Sequence, residues 1–311
     1  MEGDKNRENT KVDFIGIGSA KCATTWVYRC LIEHPQICGP YVKELNFFVT
    51  KKNPMSEKSF EHYKLLYNEG VKSYIKRFKH CPVSSVKGEI SVSYLSDPGA
   101  ARIISEHFPK VKVLVFLRDP VKRAYSYYWF ARKFTIKEKS STFEEALNDK
   151  SSYELYIDRG MYYRHLKKYY DYFPRENIGV FFVDDLKKDA TSFIQSVYSF
   201  LGVDDRHVPE SVNKRANAAR EVRLKFVRRF TDYAVDKFYL FIKYTRLHFI
   251  KNMVIKLGLQ KLIYHIFYKV NVSSFQKPPI DSKTERKLRN IFREDIENLE
   301  KLLQRDLNTW K

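Results

Sequence analysis

The chain has 311 residues, 43% of them hydrophobic, which is enough for one large α/β domain with a substantial core and excludes an intrinsically disordered protein. Its 57 basic and 37 acidic residues give a net charge of +20, which favours contact with a polyanion such as a multiply charged nucleotide, an acidic glycan, an anionic membrane or a nucleic acid. No apolar run reaches the roughly 18 residues that a membrane-spanning helix requires.

The N-terminal region and the cysteines indicate the cellular compartment in which the protein is expected. Residues 1–10 are polar and charged, so they predict a disordered tail rather than a signal peptide, and residues 11–311 are expected to form a single domain. The cysteines show no Cys-x-x-Cys spacing, which argues against zinc or thioredoxin chemistry. Three of the four cluster in one stretch, and a reduced interior is the simplest account of Cys22, Cys30, Cys38 and Cys81. We therefore expect a cytoplasmic protein without a metal site, with peripheral contact to an anionic membrane as the alternative.

The first motif is a strand, a loop of small residues and a helix. Val12–Ile17 is an apolar run that predicts a strand, and Thr24–Glu33 predicts a helix. Backbone N–H groups at the helix start and the helix dipole attract an anion, and small loop residues let the chain approach it closely. A lysine within the loop adds a full positive charge. The expected nucleotide-binding residues are Ser19, Ala20, Lys21, Cys22, Ala23, Thr24, Thr25 and Trp26.

Individual side chains of this loop carry more specific expectations. Thr24 and Thr25 are expected to cap the helix and to donate their hydroxyls to the anion. Cys22 has either a thiol of lowered pKa or a filling role at a tight turn, and Trp26 either stacks on an adenine or packs in the core. A Walker loop places its lysine directly before the Ser/Thr that holds magnesium, whereas two residues separate Lys21 from Thr24. The spacing favours a phosphorylated nucleotide bound without the usual metal ligand.

The middle of the chain alternates helices and strands. A short segment at Lys43–Phe48 leads into a lysine-rich stretch. The elements that follow are helices at Phe60–Tyr67 and Val71–Phe78, a strand at Val86–Ile90, a helix at Gly99–His107 and a strand at Val111–Leu117.

The last of these strands leads into a second anion-binding junction. Arg118 follows the strand, and Asp119 is expected to cap the next helix. Ser126 lies about two turns into that helix, at i+8 from Arg118, so the two side chains are expected to face one point beyond the strand end. Lys122 and Arg123 either assist Arg118 or are exposed to solvent. Ligands bind at the carboxyl ends of strands in open α/β sheets, so two such junctions predict a ligand with two separated phosphate-type groups.

The C-terminal half continues the alternation and then changes character. Its expected elements are helices at Phe143–Asn148 and Tyr162–Tyr172, a strand at Ile178–Val183 and a helix through Phe200. Strands alternating with helices predict a parallel sheet with right-handed crossovers. Residues 221–270 mix basic and apolar side chains and are interpreted as a basic helical subdomain packed over the sheet, or alternatively as a helix lying on an anionic membrane. Ser282–Trp310 predicts a charged amphipathic helix that closes the fold.

Several stretches together resemble the sulfotransferases that use 3′-phosphoadenosine 5′-phosphosulfate. Gly18–Trp26 (GSAKCATTW) resembles the 5′-phosphosulfate loop of that family, with Ala23 where glycine is usual, and Leu117–Ser126 (LRDPVKRAYS) resembles its 3′-phosphate motif. Further matches are KELNFF at Lys43–Phe48, GEISVSYL at Gly88–Leu95, GMYY at Gly160–Tyr163, FVDDL at Phe182–Leu186 and FLG at Phe200–Gly202. The resemblance implies a three-layer α/β sandwich with a central parallel sheet of the P-loop nucleotide-kinase type and additional C-terminal helices.

The resemblance also implies roles for individual residues. Lys21 is expected to stabilise the bridging oxygen as the sulfuryl group leaves, and Arg118 and Ser126 are expected to bind the 3′-phosphate. Lys214 and Arg215, in a basic loop after the FLG segment, are expected to add a late contact to that phosphate. The C-terminal Arg-Lys-Gly signature of the cytosolic enzymes is absent from the sequence.

Two carboxylates are candidates for the base that deprotonates the acceptor. In the glycan branch of the family, a motif that resembles KELNFF carries the catalytic carboxylate at the position of Glu44, which favours this residue. An exposed ion pair with Lys43 is the competing interpretation of Glu44. Glu89 is the rival base, because it lies near the end of the Val86–Ile90 strand at the same sheet edge. Resemblance to the glycan branch implies a hydroxyl or amine acceptor on a carbohydrate or glycolipid.

Two other functions compete with sulfuryl transfer. A P-loop-type kinase is disfavoured by the displaced lysine and by a strand that ends in Arg118 rather than in a metal-binding aspartate. A non-catalytic basic protein that binds nucleic acid or a membrane is motivated by the net charge of +20. Sulfuryl transfer is the function we expect, without a nucleic-acid partner.

Overall fold

The computed structural model describes residues 11–51, 70–135, 138–214, 220–224 and 272–311. The chain forms two compact units. The first comprises Met1–Tyr127, Ser141–Asn217 and Ile280–Lys311, and the second comprises Tyr128–Ser140 and Ala218–Pro279. The expected tail at 1–10, the expected helix at Phe60–Tyr67 and nearly all of the basic segment 221–270 lie outside the described residues.

The first unit is built on a parallel sheet of five strands. They are β1 (Phe14–Gly18), β2 (Ile37–Cys38), β3 (Val86–Ile90), β4 (Lys112–Leu117) and β5 (Ile178–Phe182). Their spatial order is β2-β3-β1-β4-β5. Every residue of β1 is buried, as a central strand covered on both faces requires. The expected α/β fold with a parallel sheet flanked by helices is confirmed.

The α-helices within the described ranges connect and cover these strands. They are α1 (Thr24–Glu33), α2 (Val71–Ile75), α3 (Ala100–His107), α4 (Pro120–Trp129), α5 (Phe143–Asn148), α6 (Lys150–Tyr156), α7 (Tyr162–Tyr170), α8 (Val183–Lys188), α9 (Ala190–Leu201) and α10 (Ser282–Leu303).

Several helix boundaries differ from the sequence expectation, and two of the differences have a clear physical cause. The helix expected to run through Phe200 is divided into α8 and α9, because Asp189 caps α9 by accepting the N–H groups of Thr191 and Ser192 at 2.9 and 3.1 Å. The final helix ends at Leu303 rather than near Trp310, because the next residue has the left-handed backbone that commonly ends a helix.

The side chain of Trp26 belongs to the core between α1 and α9. It is 4% exposed, and its ring lies 6.1 Å from that of Phe193. Its indole N–H donates to the carbonyl oxygen of Ser211 at 3.1 Å. Of the two interpretations of this tryptophan, core packing is the one observed, so its ring is not available to stack on an adenine.

Two of the four cysteines are joined in a disulfide bond, so the expectation of four reduced thiols is wrong. Cys38, at the end of β2, is bonded to Cys81, which is 43 residues later in the sequence. The two cysteines are far apart in sequence and become neighbours only in the folded chain, so their spacing does not predict the bond. Cys22 and Cys30 are free and buried. The side chain of His80 lies close to both bonded sulfurs. The three side chains could hold a metal ion together only if the disulfide bond were opened.

The second unit contains a short antiparallel pair of strands, β6 (Arg220–Val222) and β7 (Val272–Ser274). The rings of Trp129 and Phe275 are 5.0 Å apart within this unit. Across the part of the chain that the structure describes, no helix has the length and apolar character needed to cross a bilayer.

Candidate active site

The candidate site lies where three neighbouring strands of the first unit end. Gly16 of β1 pairs with Ile90 of β3, and Gly18 of β1 pairs with Val115 of β4. Because these strands are parallel, the segments that follow them begin at one edge of the sheet. One of these segments is the anion loop, one is the LRDPVKRAYS junction, and the third carries the rest of the GEISVSYL motif.

The loop after β1 has the backbone geometry of a ligand-binding loop. Gly18 has φ +146°, and a Cβ atom there would lie 3.1 Å from a backbone oxygen. Lys21 and Ala23 have φ values of 68° and 60°, which residues other than glycine adopt rarely and which are enriched at functional sites. The N–H of Ser19 fixes the loop to β4 by donating to the carbonyl oxygen of Phe116 at 2.8 Å.

The start of α1 corrects one expectation about this loop. Ala23 is the N-cap residue, and it forms no side-chain capping bond. Thr24 and Thr25 lie inside the first turn instead, so the expected capping by their hydroxyls is wrong. The first-turn N–H groups therefore receive no capping side chain from Ala23 and, with the helix dipole, remain suited to an anion.

Cys22 fills space beneath the loop. It is fully buried, with its Sγ 3.9 Å from the Tyr162 hydroxyl and 3.8 Å from the carbonyl oxygen of Ala20. Burial raises the pKa of the Cys22 thiol, although the nearby charges of Arg123 and Arg118 act in the opposite direction. The filling role is therefore the one observed, rather than a reactive thiol of lowered pKa.

Asp119 caps α4, as the sequence predicts. Its Oδ1 accepts the N–H groups of Val121 and Lys122 at 2.9 and 3.2 Å. Its Oδ2 accepts from Arg289 of α10 at 2.9 Å, so the fully buried carboxylate is paired. The cap fixes the strand-to-helix junction that carries the expected 3′-phosphate residues.

Arg118 and Ser126 lie on either side of this cap. The carbonyl oxygen of Arg118 accepts the Tyr162 hydroxyl at 2.9 Å, which fixes the backbone at the strand end. The Nε of Arg118 is buried and has no hydrogen-bond partner among the described residues. Ser126 is 5% exposed. An unpartnered buried guanidinium nitrogen is costly, and a bound phosphate would satisfy it, so these residues fit the expected ligand.

The two other basic residues of this junction differ from each other. Lys122 is exposed, with its Nζ 3.5 Å from Asp119. Arg123 is fully buried, and its Nη2 donates to the carbonyl oxygens of Leu155 and Tyr156 at 3.2 and 2.5 Å. Burial lowers the pKa of Arg123. Of the two alternatives, exposure to solvent therefore applies to Lys122 and not to Arg123.

The basic loop after the FLG segment is described only in part. Lys214 is exposed, with its Nζ 3.7 Å from Glu210, and Arg215 lies outside the described residues. Ser211 of the same loop donates from its N–H and its hydroxyl to Glu33 of α1. A late phosphate contact from Lys214 or Arg215 stays a prediction.

The acceptor segment, Lys43–Phe48, carries the expected base. Glu44 and Asn46 have φ values of 66° and 47°, a second concentration of left-handed backbone at the same sheet edge. The Nζ of Lys43 lies 2.7 Å from Glu44, whose side chain is 39% exposed. The ion pair considered as the competing interpretation is therefore present, and it leaves the carboxylate accessible to a substrate.

Glu89 anchors the acceptor segment from within the core. It is fully buried near the end of β3, and its Oε2 accepts the hydroxyl of Ser91 at 2.7 Å. The same hydroxyl accepts the N–H of Asn46 at 2.9 Å, and the hydroxyl of Tyr94 accepts the N–H of Phe47 at 2.8 Å. The buried carboxylate thus acts on the acceptor segment through a neighbouring hydroxyl.

The pH dependence of stability is expected to report Glu89. Burial raises its pKa from 4.5 to about 7, so the folded chain keeps this proton over a range in which the unfolded chain has lost it. Ionisation of Glu89 therefore costs about 3 kcal/mol of stability as the pH rises through this range. The free energy of unfolding can be measured with urea at one pH below 4.5 and one above 7. Its decrease between these two pH values should be smaller for Glu89→Gln than for the wild type. Equal losses would contradict this account.

The family comparison explains why these motifs occur together. A family model described as a sulfotransferase domain matches residues 11–225, a range that contains both anion-binding junctions and the acceptor segment. The chain belongs to this family. The resemblance inferred from the GSAKCATTW and LRDPVKRAYS stretches is thereby confirmed for this sulfotransferase domain.

Curated relatives add a similarity to glycan-modifying enzymes. The chain is 26% identical over 214 residues to the bifunctional heparan sulfate N-deacetylase/N-sulfotransferase 1 of Caenorhabditis briggsae, covering 62% of this chain and 23% of the relative. It is 27% identical over 208 residues to the human N-deacetylase/N-sulfotransferase 3, covering 61% and 22%. It is also 29% identical over 135 residues to the membrane-associated sulfotransferase kil1 of Dictyostelium discoideum, covering 42% and 26%. The chain spans about a quarter of the length of these relatives.

A solved structure supports the fold over almost the whole chain. The sulfotransferase of Alicyclobacillus acidocaldarius superposes with a TM-score of 0.65 at 23% sequence identity. The superposition covers 96% of this chain and 98% of that one.

Some residues of the site have no interpretable signal in the sequence. Ser91 and Tyr94 lie inside the GEISVSYL stretch, which marks them as family positions without revealing that they support the acceptor segment. Contacts made across the fold, rather than spacing along the chain, define this role.

Proposed function

We propose that this sulfotransferase domain transfers a sulfuryl group from 3′-phosphoadenosine 5′-phosphosulfate to a hydroxyl or amine of a carbohydrate or glycolipid. The observation that carries the proposal is the pair of anion-binding junctions at the adjacent ends of β1 and β4. One offers a helix start and Lys21, and the other offers Ser126 and the buried Nε of Arg118, which has no hydrogen-bond partner in the described ranges. Two such junctions at neighbouring strand ends suit a nucleotide that carries a phosphate-type group at both the 3′ and the 5′ position of its ribose.

Each residue has a defined task in the proposed reaction. The donor supplies an activated sulfuryl group. Arg118 and Ser126 hold the 3′-phosphate, which distinguishes this nucleotide from ATP, and Lys21 stabilises the negative charge that develops on the departing 5′-phosphate oxygen. Glu44 accepts the proton of the attacking hydroxyl or amine. The acceptor-to-sulfur bond forms in line as the sulfur-to-oxygen bond breaks, and that electron pair passes to the leaving phosphate.

A glycan acceptor is favoured by the relatives and by charge. The N-sulfotransferase relatives are named for heparan sulfate, an acidic glycan. The net charge of +20 would draw an acidic polymer toward the domain. Glycan enzymes of the family often have lysine after the glutamate at the position of Glu89, and Ile90 replaces it here, so one contact with the acceptor differs.

Calorimetry with adenosine 3′,5′-bisphosphate, the desulfated product, tests the donor. The wild-type chain should bind it, and Arg118→Ala should reduce the affinity about ten- to a hundredfold, because a charge-assisted contact to the 3′-phosphate is lost. Arg102→Ala is the matched control, since that exposed arginine pairs with Glu106 on α3. Absence of binding by folded wild-type protein, or tighter binding of ATP with magnesium, would overturn the proposal.

The acceptor class is tested separately with radiolabelled donor. We expect label to enter N-desulfated heparan oligosaccharides or a glycolipid. Transfer to small phenols alone would contradict the glycan assignment and leave the donor assignment intact.

A further inference from the structure

Three arginines near the second junction, each with at least one buried guanidinium nitrogen, point to an additional ligand contact. Guanidinium nitrogens of Arg118, Arg123 and Arg159 are buried without a hydrogen-bond partner among the described residues. The first two arginines belong to the LRDPVKRAYS stretch, whereas Arg159 comes from a separate part of the chain. Unsatisfied buried polar groups are rare in proteins, and a bound anion is one way to satisfy several cationic nitrogens in one region.

The fold brings Arg159 to the start of α4. It lies in a single helical turn, Asp158–Gly160, that follows α6. Arg123 donates to the carbonyl oxygens at the end of α6, which holds that region of the chain against α4. A Cβ atom at Gly160 would lie 3.4 Å from the side chain of Pro120, the first residue of α4. The turn therefore packs directly beside the junction that carries Arg118.

Two further contacts tie this turn to the same place. Tyr162, three residues after Arg159, donates its hydroxyl to the carbonyl oxygen of Arg118 at 2.9 Å. Arg159 and Arg123 are close enough for the positive charge of one to oppose that of the other. Like charges gathered in this way favour a shared anionic ligand.

The acidic residue next to Arg159 is already engaged. Asp158 forms an ion pair with Arg164, and its carbonyl oxygen contacts His165 Nε2 at 2.8 Å. The carboxylate of Asp158 also lies 3.4 Å from His165. This acid is thus directed toward α7 rather than toward Arg159, whose charge is left for another partner.

We infer that Arg159 binds the 3′-phosphate of the donor together with Arg118 and Ser126. This inference rests on the proposed function, because it assigns one more residue to the same nucleotide site. Arg159 would supply, from the turn before α7, a contact that the absent C-terminal Arg-Lys-Gly signature does not provide. Arg123 remains a positioning residue, since its Nη2 is committed to two carbonyl oxygens.

The test compares two nucleotides that differ only in the 3′-phosphate. Arg159→Ala should weaken binding of adenosine 3′,5′-bisphosphate about ten- to a hundredfold in calorimetry, and should change binding of adenosine 5′-phosphate little. Arg159→Lys should retain part of the preference, because it keeps the charge but not the planar guanidinium. Arg164→Ala is the matched control, since it removes an arginine nearby that pairs with Asp158.

The outcomes separate this inference from the proposed function. If the wild type binds neither nucleotide, the proposed function fails and the inference fails with it. If the wild type prefers the bisphosphate and Arg159→Ala keeps the same preference, only the inference is overturned. An equal loss for both nucleotides would also overturn it, because a structural role would affect both. Arg159→Gln, measured with thermal unfolding, provides a second variant if the alanine protein does not fold.

Discussion

Glu44→Gln is expected to lower the kcat for sulfuryl transfer by about 10²- to 10⁴-fold, the contribution typical of a positioned general base. The substitution keeps the shape of the side chain and removes its ability to accept a proton. Affinity for adenosine 3′,5′-bisphosphate should stay unchanged, because Glu44 belongs to the acceptor segment rather than to either nucleotide junction. Steady-state sulfation of a glycan acceptor at saturating donor concentration measures the effect.

Three variants distinguish loss of the base from other consequences of that change. Lys43→Met removes the same ion pair and leaves the carboxylate in place, so it should retain far more activity than Glu44→Gln. Glu106→Gln removes an exposed ion-paired glutamate on α3 and should have no effect on turnover. Glu89→Gln should alter stability and acceptor KM. If it abolishes turnover while Glu44→Gln does not, then Glu89 is the base and our assignment is wrong.

Lys21→Ala is expected to reduce kcat by about 10²- to 10³-fold, the loss seen when one preorganised charge or donor is removed from a developing oxyanion. The positive charge at Lys21 is worth more once the sulfur-to-oxygen bond is breaking than in the ground state, because negative charge accumulates on the leaving phosphate. Binding of adenosine 3′,5′-bisphosphate should weaken less than turnover does. Rapid-quench measurement of a single turnover reports the chemical step directly.

Two control variants separate the effect of the charge at Lys21 from the effect of its position in the loop. Lys21→Arg keeps the charge and should recover part of the rate. Lys187→Ala removes an exposed lysine that pairs with Asp184 and should leave the chemical step unchanged. A variant at Lys21 with a raised donor KM but wild-type kcat would show that the lysine binds ground state and transition state equally, which would remove its catalytic role.

Much of the fold follows from patterns that are local in sequence. The strand at Val86–Ile90 and the helix at Thr24–Glu33 have the bounds that the sequence predicts, because apolar runs and helical periodicity are strong signals. Asp119 caps α4 as expected, since a cap depends on only a few neighbouring residues. Strand β2 could not be predicted from the sequence, because its two residues are too few to form a recognisable pattern.

The details of the site depend on tertiary contacts and could not be predicted in the same way. The sequence presents Glu89 as a rival base near the end of a strand, and not as a buried support of the acceptor segment. Its burial and its link through Ser91 to Asn46 appear only when the acceptor segment folds over the end of β3. The start of α1 shows the same limitation, because the helix begins at Thr24 and its N-cap position falls on Ala23, whose side chain cannot cap it. Family motifs indicate which residues belong to the site, and the contacts in the folded chain indicate what each of them does.

The bond between Cys38 and Cys81 makes the intervening chain a closed ring, and the acceptor segment lies inside that ring. A protease that cuts the backbone anywhere within the ring would leave two fragments still joined through sulfur. The proposed base would then stay attached to the sheet even after the polypeptide had been severed.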